Sequence, residues 1–310
     1  MDFVIQLLLL AVGFFLLVKG ADWFVDGACN IAARFHIPQL IIGLTIVAMG
    51  TSAPEAAVSI TAAAHGVADI TIGNIVGSNI MNVLVILGLS AMICPLRVAK
   101  STVRIEIPFM IGVTIVLMLQ GMDGVISGLD GMLLAFLFLV YLGYLFYMAK
   151  KNPDQEAGEA AKELKLWQAM VALLLGLALI LLGSDLAVDS ATALARMFGL
   201  SERFIGLTIV ALGTSLPELF TSVTAARKGS ADIAIGNIVG SNIFNILFVV
   251  GLSSLLIPVP FAHAFLSDSI VALVTGIFLL LACARRHVLS RGAGLLMPTG
   301  YAAYFFLFLL

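Results

Sequence analysis

The sequence predicts an all-α polytopic membrane protein of ten transmembrane helices, arranged as two inverted five-helix repeats with broken helices at the repeat motifs. Three observations predict it. The 310 residues are 61% hydrophobic and 11% charged, with a mean hydropathy of +1.14, whereas an ordinary soluble domain carries roughly 25% charged residues. Apolar runs of about 20 residues, the length that crosses a bilayer core, recur along the chain. The third observation is a repeat. Gly43 to Ser59 reads GLTIVAMGTSAPEAAVS and Gly206 to Ser222 reads GLTIVALGTSLPELFTS, identical at 12 of 17 positions. Ala68 to Ser90 and Ala231 to Ser253 agree at 17 of 23, and both pairs are offset by the same 163 residues.

Taken in order, the first half (1–148) holds spans near 3–26, 38–64, 70–94, 103–120 and 127–148. A polar linker occupies 149–165, and the second half (166–310) holds spans near 166–189, 202–226, 232–256, 267–284 and 292–310. The first run has no basic residue before it and no small-residue cleavage pattern after it. It also has its own counterpart, Gly20 to Asp26 against Gly183 to Asp189, so it reads as a retained helix rather than a signal peptide. Five spans per repeat is an odd number, so the second half enters the membrane from the opposite side. With the N-terminus outside, 13 of the 16 Lys and Arg residues fall in inside segments, against Arg196 and Arg203 outside and Lys19 near the inner end of the first helix. The expected placement is therefore a cell (inner) membrane with both termini out and the linker cytoplasmic.

The remaining composition excludes several classes. A net charge of −2 gives no footing for a nucleic-acid partner, and Cys29, Cys94 and Cys283 share no metal-ligand spacing and read as free thiols. His36, His65, His263 and His287 fall at loop ends, without partners at ligand spacing. The mixed charges of the linker read as a solvated connector, too short for a regulatory domain.

The chemistry lies in the repeat. Of 18 acidic residues, only Glu55 and Glu218 fall deep inside a span, and an intramembrane carboxylate marks a functional site by default. Thr51 and Ser52 accompany Glu55, as Thr214 and Ser215 accompany Glu218. Asn74, Ser78, Asn79 and Asn82 interrupt the next span, with Asn237, Ser241, Asn242 and Asn245 as counterparts. Pro54 and Pro217 cannot donate to the carbonyls of Gly50 and Gly213, so each copy predicts a broken helix with freed carbonyl oxygens. Thr51 and Glu55 share a helix face, as do Ser78 and Asn82. The inverted repeat brings both clusters together at mid-membrane. Carboxylate, hydroxyl, amide and carbonyl oxygens without His or Cys suit Ca²⁺, or Na⁺ as a second hard cation. Gly73-x-x-x-Gly77 and Gly236-x-x-x-Gly240 read as close helix packing against the broken helices. Asp22, Asp26, Asp185 and Asp189 read as solvated acids near helix ends, and Asp69 and Asp232 as caps of the helices that follow.

At these residues the sequence resembles the sodium/calcium exchanger family of the cation/calcium antiporter superfamily, as a prokaryotic-type member. The paired G-T-S-x-P-E and G-N-x-x-G-S-N segments look like the family's two α-repeats, and the likeness covers essentially the whole chain. It implies ion sites between the second, third, seventh and eighth helices. Its ligands would be Thr51, Ser52, Glu55, Ser78 and Asn82 from the first repeat, and Thr214, Ser215, Glu218, Ser241 and Asn245 from the second, with the backbone carbonyls of Ala48 and Ala211 completing sodium sites. The expected function is exchange of Na⁺ for Ca²⁺ by alternating access, with Ca²⁺ exported. The partners are then the transported cations and the lipid bilayer, and no cofactor is expected. Some members carry Asp where this chain has Asn245, and the animal exchangers' large cytoplasmic loop is replaced here by about 17 residues. Three alternatives share the residues: a Ca²⁺/H⁺ or other cation antiporter on the same scaffold, a cation channel, and an intramembrane hydrolase. The last needs a water-activating group at depth, and every His lies in a loop.

Overall fold

The structure, a computed structural model, describes residues 2–66, 68–151, 164–200, 209 and 211–309. Its helices are α1 (Asp2–Phe35), α2 (Gln39–Thr51 and Ala53–Ala64), α3 (Ile70–Ile93), α4 (Thr102–Asp123), α5 (Gly128–Lys151), α6 (Leu166–Met197), α7 (Ala211–Thr214 and Leu216–Arg227), α8 (Ala231–Leu256), α9 (His263–Ala284) and α10 (Arg291–Tyr304), which continues as a π turn to Leu309. Seven of the described helices are long and apolar enough to cross a membrane, and counting the two arms of α2 as one bent span makes eight. Phe136, Leu139, Leu174, Leu182 and Leu281 are among many large apolar side chains that stay more than half exposed. That is the surface a bilayer covers.

At the centre lie α3 and α8, the most enclosed of the apolar helices. Their close contacts come from missing side chains. A Cβ on Gly236 would sit 2.9 Å from the Leu40 carbonyl oxygen, and one on Gly240 would sit 2.8 Å from the Cβ of Ala48. The expected small-residue packing of α8 against the first arm of α2 is therefore present. Of the matching pair, Gly73 lies instead against Phe265. The 201–208 stretch of the second half lies outside the described residues.

Outside this core, α1 and α6 pack along each other. Gly13 backs onto Gly183, Gly20 onto Gly176 and Gly27 onto the Ala169–Leu173 turn, each at a spacing that a Cβ would violate. These two helices run 34 and 32 residues, well past the expected ends near 26 and 189. At 1.5 Å per residue each is on the order of 50 Å long, against a hydrocarbon core of about 30 Å. The acids at Asp22, Asp26, Asp185 and Asp189 were read as helix ends because a hydropathy window stops at charge. They lie instead inside continuous helix.

Two short antiparallel ribbons tie the loops. Leu96–Arg97 pairs with Val288–Leu289, and Val125–Ile126 pairs with Val259–Pro260. They too are related by the 163-residue offset. π turns at Gly43–Val47, Asn82–Leu87, Thr102–Glu106 and Asn245–Val250 were not anticipated. Those starting at Asn82 and Asn245 place the wider turn directly at the polar cluster, a common position for such bulges. The expected caps at Asp69 and Asp232 are also corrected. Helix begins at Asp69, one residue before the apolar span of α3, and at Ala231 in α8, so Ala68 and Ser230 hold the N-cap positions, neither with a side-chain cap bond.

Candidate cation site

The break in α2 falls at Ser52, whose φ of −81° and ψ of 8° leave the helix before Pro54 enters at the first turn of the second arm. The two arms meet at 51°. Ser215 repeats the geometry before Pro217, with φ −92° and ψ 4°. A proline early in a helix loses nothing, because its missing N–H would have no intrahelical partner there. The acid that follows, Glu55 or Glu218, then lies in the first turn of each second arm. The positive end of the helix dipole favours it there. The carbonyl freed at Gly213 accepts a hydrogen bond from Ser184 Oγ of α6 at 2.9 Å.

Both carboxylates are 1% exposed, and Thr51, Ser52, Ser78, Asn82, Ser215, Ser241 and Asn245 are all buried around them. Thr214 is half-buried. Ser52 Oγ donates to Glu218 Oε1 at 2.9 Å, so a hydroxyl of the first repeat reaches the acid of the second. The Ala48 carbonyl accepts from Ser52 N at 3.0 Å, Thr51 Oγ1 at 3.3 Å and Ser241 Oγ at 3.4 Å. Among the predicted residues, Ala211 opens the first described turn of α7.

A lattice of amides holds these elements. Asn79 Nδ2 donates to the Asn242 carbonyl at 3.2 Å and Asn242 Nδ2 returns to the Asn79 carbonyl at 3.1 Å. Asn82 Nδ2 donates to Asn242 Oδ1 at 3.0 Å, and Asn245 Nδ2 to Asn79 Oδ1 at 3.1 Å. Further out, Asn74 Nδ2 donates to Ser59 Oγ and Asn237 Nδ2 to Ser222 Oγ, both at 2.9 Å, pinning α3 to α2 and α8 to α7. Thr51 Oγ1 donates to Asn237 Oδ1 at 3.0 Å. Asn74, Asn79, Asn237 and Asn242 thus have their amides committed to the scaffold.

Among the described residues, six buried oxygens of this cluster keep no hydrogen-bond partner: Glu55 Oε1 and Oε2, Glu218 Oε2, Ser215 Oγ, Asn82 Oδ1 and Asn245 Oδ1. Single unpartnered atoms also occur elsewhere, at Ser90, Glu106 and Ser253 among others. Unpaired buried oxygens cost about 1–3 kcal/mol each, and more where charged. Carboxylate, hydroxyl and amide oxygens together are the donor set that a hard cation takes. Among the described residues there is no group of three or more His, Cys, Asp or Glu side chains that could hold a metal. Beside this site, a cavity of about 550 Å³ is lined by Pro54, Ala57 and Val58 of α2, Ser184, Asp185 and Asp189 of α6, and Thr214 of α7. Asp185 and Asp189 line this cavity and are exposed, so they are solvated acids as expected, though inside a continuous helix.

Sequence reasoning missed one buried acid. Glu106 falls in the first turn of the span expected near 103–120, yet it is 1% exposed. Its carboxylate accepts a hydrogen bond from the Tyr144 hydroxyl of α5. The signal available was Tyr141, Tyr144 and Tyr147, spaced three apart along an apolar helix.

Comparison with known proteins agrees with this geometry. The sodium/calcium exchanger protein family matches residues 5–147 and again residues 168–310. The chain is 41% identical over 308 residues to inner membrane protein YrbG of Escherichia coli strain K12, covering 96% of this chain and 94% of that one. It is 31% identical over 346 residues to sodium/calcium exchanger MaX1 of Methanosarcina acetivorans, covering 97% of each. A solved structure of the sodium-calcium exchanger NCX_Mj, soaked with 2.5 mM Na⁺ and 10 mM Sr²⁺, superposes with a TM-score of 0.86 at 33% identity, covering 98% of this chain and 99% of that one. With the family matched in both halves and the fold shared over nearly its whole length, the chain belongs to the sodium/calcium exchanger family and is a membrane cation/calcium antiporter.

Proposed function

We propose that this protein exchanges Na⁺ for Ca²⁺ by alternating access and exports Ca²⁺. The observation that carries the reading is the set of six unpartnered oxygens around Glu55 and Glu218. The proposed ligands are Thr51, Ser52, Glu55, Ser78 and Asn82 with Thr214, Ser215, Glu218, Ser241 and Asn245, and the Ala48 and Ala211 carbonyls serve sodium. Two ionised carboxylates closed off from water are strongly disfavoured without counter-charge. One Ca²⁺ neutralises the pair, and so do two Na⁺. Only loaded states then reorient, so the protein exchanges ions rather than leaking them. With Na⁺ higher outside, the exchange drives Ca²⁺ outward.

The topology proposed is ten spans in two inverted repeats, 1–148 and 166–310, joined by the 149–165 linker, with both termini outside. The loop ribbons support it. In this topology the 96–97 and 288–289 segments both lie inside and the 125–126 and 259–260 segments both lie outside, as their pairing requires. Arg97, Arg285, Arg286 and Arg291 cluster around the first ribbon, which fits the side that retains positive charge. The cavity beside Pro54 and Thr214 then opens toward the outside.

The test is ⁴⁵Ca²⁺ uptake into proteoliposomes loaded with Na⁺. Uptake that rises with the outward Na⁺ gradient is expected. Uptake that ignores Na⁺ and follows a proton gradient would overturn sodium as the counter-ion.

A further inference from the structure

Lys228 and His65 occupy the same place in the two repeats. Lys228 caps the second arm of α7, and His65, 163 residues earlier, caps the second arm of α2. The acids opposite them are repeated as well. Asp22 and Asp26 lie one turn apart on α1, and Asp185 and Asp189 lie one turn apart on α6.

Only one of these two sets is closed. Lys228 Nζ lies 2.7 Å from Asp26 Oδ1 and 3.4 Å from Asp22 Oδ1, and donates to the Asp22 carbonyl at 2.9 Å. Beside it, α1 packs along the second arm of α7, and Cys29 Sγ meets Ser230 Oγ at 3.3 Å. In the other set, the cavity separates α6 from the second arm of α2, with Asp185 and Asp189 on one wall and Ala57 and Val58 on the other. His65 turns back on its own helix, its Nδ1 2.8 Å from the Thr61 carbonyl oxygen. Among the described residues no ion pair joins it to Asp185 or Asp189.

We propose that these are two alternating latches of the transport cycle. Lys228 with Asp22 and Asp26 fastens α1 to α7 in the state seen here, and His65 with Asp185 and Asp189 fastens α6 to α2 in the opposite one. The inference rests on the alternating-access reading. In an inverted repeat the second state is reached when each half takes the arrangement now held by the other, and that exchange brings α6 onto α2 as α1 now lies on α7. The two latches are unequal. The flexible four-carbon stem of Lys228 reaches both acids, whereas the shorter imidazole of His65 is bonded to its own helix. The Lys228 latch therefore biases the resting protein toward the state with the cavity open. Partly exposed ion pairs of this kind shift such an equilibrium by about two- to five-fold.

The test uses the full chain, purified, in a cysteine-free background. With Ala57→Cys as reporter in the cavity, Lys228→Ala is expected to slow labelling by an impermeant thiol reagent about two- to five-fold, and His65→Lys to slow it likewise. In a second arm, the pair His65→Cys with Asp189→Cys is expected to form a disulfide while ions are supplied for exchange, halting ⁴⁵Ca²⁺ flux until a reductant is added. The pair Lys228→Cys with Asp26→Cys should cross-link without any ions. Labelling of a monodisperse Lys228→Ala protein at the unmutated rate or faster would overturn the proposal. So would failure of the His65–Asp189 pair to cross-link where the Lys228–Asp26 pair does. Labelling needs no particular counter-ion. If flux ignores the Na⁺ gradient while the labelling rates shift as expected, the sodium reading fails and the latches stand.

Discussion

Replacing Glu55 by Gln keeps the side chain's shape and removes one of the two buried negative charges. Both Glu55 oxygens lack a hydrogen-bond partner, and the side chain is 1% exposed. Its interactions are therefore available almost entirely to an ion. With one carboxylate left, a bound Ca²⁺ carries one uncompensated positive charge, while a single Na⁺ is still neutralised by Glu218. Removing one partner from a buried charge set costs about 3–5 kcal/mol. At about 1.4 kcal/mol per decade this is a weakening of Ca²⁺ binding by about two to three and a half decades, with a smaller loss for Na⁺. Ser52→Ala sets the comparison, since it removes one hydrogen bond to the Glu218 carboxylate, worth about 1.5–3 kcal/mol. The assay is the Ca²⁺ concentration dependence of ⁴⁵Ca²⁺ uptake into Na⁺-loaded proteoliposomes, with size-exclusion profiles as the control for folding. Half-saturation within three-fold of the unmutated protein would refute the charge argument, because no ligand at that depth could be lost so cheaply.

Three further outcomes follow from other parts of the site. Asn245→Asp adds a third acid that must either ionise or carry a proton, so exchange by this variant should depend more steeply on pH between about 6 and 8 than exchange by the parent. Identical profiles would place residue 245 away from the ions. Gly240→Ala puts a methyl group 2.8 Å from Ala48 Cβ and from the Leu44 carbonyl oxygen, so thermal unfolding in detergent should show a loss of about 1–3 kcal/mol. An unchanged midpoint would show that α2 and α8 do not need this approach. Asn242→Ala removes the acceptor of Asn82 and the donor to the Asn79 carbonyl, both joining the two halves, and should lower the unfolding midpoint more than Asn74→Ala, which removes donations to Ser59 Oγ and the Glu55 carbonyl within one half.

Glu55 and Glu218 were legible in the sequence because charge inside an apolar run has no ordinary structural use, and its recurrence at a fixed offset removes accident. The breaks were legible for the same reason, since Pro54 and Pro217 act through local backbone chemistry alone. The division of labour among the asparagines was not. From the residues alone Asn79 and Asn82 look alike, and both donate to Asn242; they differ because Asn245 of α8 donates to Asn79 Oδ1 and leaves Asn82 Oδ1 without a partner. Glu106 escaped notice because position along a span says nothing about what packs over it, and here α5 brings Tyr144 across it. The full lengths of α1 and α6 were hidden by their own acids. A hydropathy reading ends a helix where charge begins, whereas Asp22 and Asp26 are held inside continuous helix by Lys228 from another element.

The reciprocal amide bonds between Asn79 and Asn242 bear on how such a chain is made. Each amide finds its partner on the backbone of the opposite half, so neither half alone can satisfy its own polar groups in lipid. As the chain emerges, the first five helices must wait in the bilayer with these donors and acceptors unmet. Only the arrival of α8 closes these bonds, so the two repeats reach polar satisfaction together and not one after the other.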